Sequence, residues 1–288
     1  MPLKKTSIKT KVKNTNNVKQ PLLKIRQKID NIDIRIHDLL MKRAELVNDI
    51  IKEKRKESTK GLTIYRPARE HEILLRLIKR HKGNISIKSL VSIWRKLIST
   101  YISIQGELKL SFSGKLDDIV NNYFSSDIKK IKTKSSYSSL KNLVENKSNI
   151  AILPFPSKKN DWWSKLSNFS NIRVVGSLSD SSNENISALV LSKQDIEYAS
   201  INTALYTSKI ATKNIKLYSK FLKSKGFIVI CKKLVSSKTS IVLFSKEVSS
   251  DIEQKLKLTS IKNFELDKDI KPKFIGVFST IYKEVING

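Results

Sequence analysis

Arg43 and Lys54 stand eleven residues apart in a run whose apolar positions, Leu22, Ile25, Ile29, Ile32, Ile36, Leu39, Leu40, Leu46, Val47 and Ile50, recur at three- and four-residue steps. At ~100° per residue that separation leaves an offset of only ~20°, so both cations lie on one face of a helix, about three turns apart. Arg26 precedes Arg43 by seventeen residues and falls ~100° away. One helix therefore presents two cations toward one place and a third toward another. Further along, Tyr101 and Gln105 sit at i, i+4 and can face a common cavity, with Ile98 and Ile102 packing alongside. Guanidinium, ammonium, phenol and amide are donors, and the chemistry open to such a set is the recognition of an anion.

The composition agrees and leaves the anion open. Lys and Arg number 56 against 26 Asp and Glu, a formal charge of +30 with a pI near 10.0. On charge alone the partner could be nucleic acid, a membrane surface or an acidic metabolite. The lysines, however, run from Lys4 to Lys283 without a focused stripe or a recognisable reading module. With only 8 Gly and 6 Pro beside abundant Ile, Lys, Asn and Ser, the excess reads as compositional bias at solvated positions, and nucleic acid is not expected. A single cysteine, Cys231, excludes an intramolecular disulfide. With His37, His71 and His81 it offers no zinc-ligand spacing, so neither metal nor cofactor is expected. Apolar runs such as Phe227 to Cys231 fall far below the ~18 residues of a membrane helix, which predicts a cytoplasmic protein with no membrane partner.

Three helices must position the donors. The first, from Leu22 to about Lys56, would span roughly 50 Å, too long for two shorter helices to cover on their own, so its apolar stripe predicts a second copy of the chain. The second starts at Pro67 and stops at His81-Lys82-Gly83; the third starts at Ser86, a good N-cap, and runs to about Leu108. Residues 1–20, free of acidic side chains, read as a disordered basic tail. After about Ser113 the texture changes to short Ile-, Val- and Phe-rich runs alternating with helical stretches. Strands are predicted at Ile150–Phe155, Ile172–Leu178, Ile186–Ser192, Phe227–Leu234, Ser240–Ser245 and Phe274–Ser279. Helices are predicted at Leu116–Phe124, Ser138–Glu145, Asn214–Lys225 and Ser250–Leu256. The fold class is thus multidomain: an all-α three-helix module over 21–110 and an α/β or α+β unit over 111–288. From about Ile201 the order strand, helix, two strands, helix, strand predicts a small ferredoxin-like regulatory part.

The runs Leu22-Leu23-Lys24-Ile25-Arg26, Arg43-Ala44-Glu45-Leu46-Val47, Lys54, Tyr65-Arg66-Pro67-Ala68-Arg69-Glu70 and Ile93-Trp94-Arg95-Lys96-Leu97-Ile98-Ser99, closed by Gln105, resemble the all-helical chorismate mutase in order and spacing. The resemblance implies a homodimer intertwined through the first helix, with Arg26 donated to the neighbour's site. It implies that Arg43 and Arg26 bind the two carboxylates of chorismate, that Glu70 accepts from the substrate hydroxyl, and that Lys54 and Gln105 hold the ether oxygen. Two positions depart from the family. Arg66 stands where an Asp is frequent, and Tyr101 stands where a Ser is frequent, which lengthens a side chain in the pocket.

The second half is similar, more distantly, to prephenate dehydratase, on Val144 to Pro154 and Asp161-Trp162-Trp163. A working dehydratase implies a Thr-Arg-Phe motif, and before Leu189-Val190-Leu191 this chain has Ser187-Ala188. The alternatives to a mutase are therefore a bifunctional mutase and dehydratase or, from another class, a basic nucleic-acid-binding protein.

Overall fold

The computed structural model describes residues 16–57, 63–169, 171–179, 185–249, 270 and 272–281. The predicted helix at Ser250–Leu256 and most of the expected basic tail lie outside them. The chain divides into two compact units, Met1–Glu57 and Ser58–Gly288.

The first unit is one helix, α1, Asn16–Glu57, 42 residues or about 63 Å long. It begins ahead of Leu22, with Pro21 in its second turn. Leu22, Ile25, Ile29, Ile32, Ile36, Leu39, Leu46 and Ile50 are all about half exposed or more. This is the apolar stripe of the sequence, laid out on an unbroken helix.

The second unit is a mixed nine-stranded sheet with helices on it. Its elements are α2 (Pro67–Arg80), α3 (Ile87–Gln105), β1 (Lys109–Ser113), α4 (Asp117–Tyr123), β2 (Lys129–Thr133), α5 (Ser136–Val144), β3 (Ile150–Pro154), β4 (Arg173–Ser179), β5 (Ile186–Ser192), β6 (Ile201–Ala211), α6 (Ile215–Ser224), β7 (Ile228–Leu234), β8 (Thr239–Ser249) and β9 (Lys273–Phe278). The sheet order is β2-β1-β3-β5-β4-β9-β6-β8-β7. Thus the multidomain, helix-then-α/β class stands. The last four strands, β9-β6-β8-β7, are antiparallel neighbours in the order fourth, first, third, second, which is ferredoxin-like topology.

Local chemistry explains the starts and stops. Pro67 occupies the first turn of α2, where its missing N–H costs nothing. The Ser86 side chain caps α3 by accepting from the Ser89 N–H at 3.1 Å. Alternation along β3 sends Ile150 and Ile152 to one face and Ala151 and Leu153 to the other. The first face packs with Ile98 and Ile102 of α3, Val120 and Phe124; the second with Leu140, Leu143, Trp162 and Trp163. Ile73 of α2 packs against the first face too, so α2 and α3 share a core with the sheet. Hydrophobic period divides the sequence near residue 110, whereas packing divides the chain at Glu57; the two boundaries describe different properties.

The five-stranded and four-stranded parts of the sheet meet where β4 runs parallel to β9, paired at Val174 and Gly276. Gly276 has φ +136°, and a Cβ there would lie 2.1 Å from the Val174 carbonyl oxygen. Only glycine permits that approach.

Candidate functional site

Helix α1 carries Arg26, Arg43 and Lys54. Because the helix is continuous, the spacing of the sequence becomes backbone geometry: positions 43 and 54 lie about 16 Å apart along the axis with an offset of only ~20°, and position 26 is set about 26 Å back from position 43 at ~100°; the side chain of Lys54 lies outside the described residues. Arg26 is exposed and Arg43 is half-buried.

The other three expected residues belong to the second unit. Tyr101 and Gln105 come together on α3, where Gln105 Nε2 donates to the Tyr101 carbonyl oxygen at 3.4 Å. Tyr101 is buried, and Gln105 is partly exposed. Glu70, on the first turn of α2, is buried. It accepts a short hydrogen bond from the Tyr123 hydroxyl of α4. The Arg95 Nε atom of α3 lies 3.8 Å from the same carboxylate oxygen, and the Arg95 guanidinium sits 4.7 Å from the centre of the Tyr123 ring.

Burial dominates the electrostatics of this cluster. Desolvation raises the Glu70 pKa above the usual carboxylate value, opposed by the charge of Arg95 and the Tyr123 hydrogen bond. The phenols of Tyr65 and Tyr123 are pushed up by burial and then by the nearby Glu70 charge, so both stay protonated and can donate.

Three polar contacts anchor the start of α2 to the stretch after β5. Arg66 Nε donates to Glu197 Oε1 at 2.7 Å, Gln194 Nε2 donates to the Tyr65 carbonyl oxygen at 2.8 Å, and the Ser200 N–H donates to Glu72 Oε1 at 2.7 Å. Gly176 of β4 makes room, since a Cβ there would meet Pro67 Cβ at 3.0 Å. The Ile93-to-Ser99 run also turns toward the sheet unit. Lys96 Nζ donates to the carbonyl oxygens of Asn121 and Phe124 at the end of α4, a cation at a helix C-terminus. Ser99 Oγ accepts from the Ser125 N–H at 2.6 Å.

The helical segment can now be compared with known proteins. Residues 25–106 match the chorismate mutase type II family. The chain is 33% identical over 99 residues to a bifunctional chorismate mutase/prephenate dehydratase of Aquifex aeolicus, covering 33% of this chain and 26% of that protein. It is 26% identical over 92 residues to the protein of the same description from Stutzerimonas stutzeri, covering 31% and 25%. The alignments thus span about a quarter of the curated relatives. Among solved structures, GqqA, described as a novel type of quorum quenching acylase, aligns with 11% identity and TM-score 0.46 over 62% of this chain and 98% of its own. Prephenate dehydratase from Streptococcus mutans aligns with 12% identity and TM-score 0.43 over 59% and 97%. Likenesses that low bear on neither activity nor substrate.

Sequence spacing does not reveal Tyr123, Arg95 and Tyr65. Arg95 stands inside the mutase-like run, but its partners come from α2 and α4, and no periodicity links three elements. Trp162 and Trp163, candidates for ligand stacking, are both buried, and Trp162 Nε1 donates to the Pro154 carbonyl oxygen at 2.8 Å. His71 is buried beside Glu70, and Cys231 is partly buried on β7 with its thiol pKa raised by burial, as expected of a packing residue. Among the described residues no His, Cys, Asp and Glu cluster could hold a metal, and no helix is long and apolar enough to cross a membrane.

Proposed function

We propose that the mutase segment rearranges chorismate to prephenate, as a step of phenylalanine and tyrosine biosynthesis in the cytoplasm. The observation that carries this reading is the family match over residues 25–106, within which Arg26, Arg43 and Lys54 occupy one continuous helix. The rearrangement is pericyclic, so it asks for no nucleophile and no proton relay. Arg26 and Arg43 clamp the two carboxylates and hold the compact reactive conformer. Lys54 and Gln105 donate to the ether oxygen as negative charge grows there, an interaction stronger in the transition state than in the ground state. Tyr101 lines the same pocket, and Glu70 is the carboxylate that the family uses toward the substrate hydroxyl.

Two copies of the chain complete the site. The half-exposed apolar stripe of α1 supports a homodimer built along that helix, each Arg26 serving the neighbour's site. One assay tests the reading. Purified full-length protein is incubated with chorismate, its absorbance is followed, and the product is identified. Loss of chorismate with persistence of prephenate is expected; no loss overturns the proposal. The names of the curated relatives favour a second reading, a bifunctional enzyme, and conversion of prephenate to phenylpyruvate in the same assay would establish it.

A further inference from the structure

Between α3 and α4 the second unit holds a concavity of about 470 Å³, lined by Lys88, Ser92 and Arg95 on one side and Lys115, Asp118 and Asn122 on the other. That volume suits a small metabolite. Val91, Ile119 and the Tyr123 ring supply apolar wall, and Ser179 closes one end. Among the described lining residues three cations stand with one carboxylate, which favours an anion.

Arg95 is the informative member. Its side chain is 11% exposed, and its nearest carboxylate oxygen, on Glu70, is 3.8 Å away, beyond hydrogen-bond reach. Its buried Nε makes no hydrogen bond among the described residues. Glu70 and the Tyr123 ring face compensate this desolvated guanidinium only in part, and a further anion beside it would stabilise it. On its other side Arg95 borders a cavity of about 30 Å³ next to Glu70, too small for an organic ligand. Arg95 also lines the α3–α4 concavity, which has room for such an anion.

We propose that the α3–α4 groove binds a small organic carboxylate, its head group taken by Arg95 with Lys88 and Lys115 and its body laid against Val91, Ile119 and the Tyr123 ring. The planar fork of arginine matches a carboxylate bidentately. Asp118 disfavours a phosphate dianion in so small a space, and accepts instead from a hydroxyl or ammonium on the ligand body. Because Arg95 also faces Glu70, occupancy of the groove redistributes the charge around the α2 carboxylate. The described lining of the groove includes none of the three cations of α1, and the proposal stands whether or not the chain rearranges chorismate.

The test titrates full-length protein with benzoate, succinate and inorganic phosphate by calorimetry, in the wild type, Lys115→Gln and Ser92→Trp. Lys115 and Ser92 are exposed, so neither change threatens folding. Saturable binding of at least one carboxylate is expected, weakened about tenfold by Lys115→Gln, the loss of one charge-assisted contact, and abolished by Ser92→Trp, which fills the groove. Absence of carboxylate binding up to about 10 mM, the weak end of specific recognition, overturns the proposal. So does binding that survives both substitutions, or binding of phosphate alone.

Discussion

Tyr123, on the helix that follows the first strand of the sheet, donates its hydroxyl to Glu70, the carboxylate that the mutase-like helices bring with them. A residue assigned by resemblance to a substrate hydroxyl is thus held by a phenol from the α/β part of the chain. Removing the phenol oxygen takes a hydrogen bond from a buried carboxylate and leaves it the more distant Arg95. Tyr123→Phe is expected to destabilise the second unit by about 1–3 kcal/mol, read as a lower urea midpoint at unchanged slope. An unchanged midpoint would show that the bond contributes nothing.

The raised pKa of Glu70 has a signed consequence. A carboxyl that binds its proton more tightly when folded contributes stability that is fully present below its unfolded pKa and is lost as pH rises through the folded value. Glu70→Gln is neutral throughout, so the wild-type decline in stability above about pH 4.5 should flatten in the variant. Melting temperatures taken from pH 4 to 8 check this; parallel curves would refute it.

If Lys54 serves the ether oxygen, Lys54→Met should lower kcat by about a hundredfold or more and shift KM only a few-fold, the pattern of a contact made in the transition state. Near-normal turnover would remove Lys54 from the site.

Donation of Arg26 across a dimer predicts complementation. Arg26→Ala and Lys54→Met chains are each inactive alone. Refolded together in equal amounts, half the dimers are mixed, and each mixed dimer holds one site with both residues intact. Recovery of about a quarter of wild-type activity is expected. No recovery would place Arg26 and Lys54 in the same chain's site.

Much of the architecture could be read from periodicity. Strand β5 spans the predicted Ile186–Ser192, and α3 begins right after its Ser86 cap. Strands β1 and β2 were not legible. The β2 sequence Lys-Lys-Ile-Lys-Thr looks like a solvated loop, and it extends only because β1 offers it a parallel edge, Lys109 beside Lys129. Lysines on an edge strand also discourage pairing with other chains. The site divides along the same line. Arg43 with Lys54 and Tyr101 with Gln105 are relations within single helices and follow from residue counting. The contacts of Glu70 with Tyr123 and Arg95 need three elements folded against one another, and Arg66, a departure from the family pattern, finds its counterion 131 residues away in Glu197.

Gly276 provides a test of the sheet. Gly276→Ala would drive a Cβ into the Val174 backbone and should cost about 3 kcal/mol or more, seen as a lowered thermal midpoint. A variant as stable as the wild type would mean that β9 can retreat from β4 without loss.

The meeting of β4 and β9 at Val174 and Gly276 also bears on how the sheet comes apart. Nine strands in one continuous order need not behave as one cooperative block. The strand ladder between β2-β1-β3-β5-β4 and β9-β6-β8-β7 holds a single paired position, and although Leu189, Leu205, Leu243 and Ile275 share one core beneath it, the two parts are expected to open as separate foldons. Native-state hydrogen exchange would then register two protection plateaus, and a ligand bound on one part would slow exchange there without slowing it across the seam.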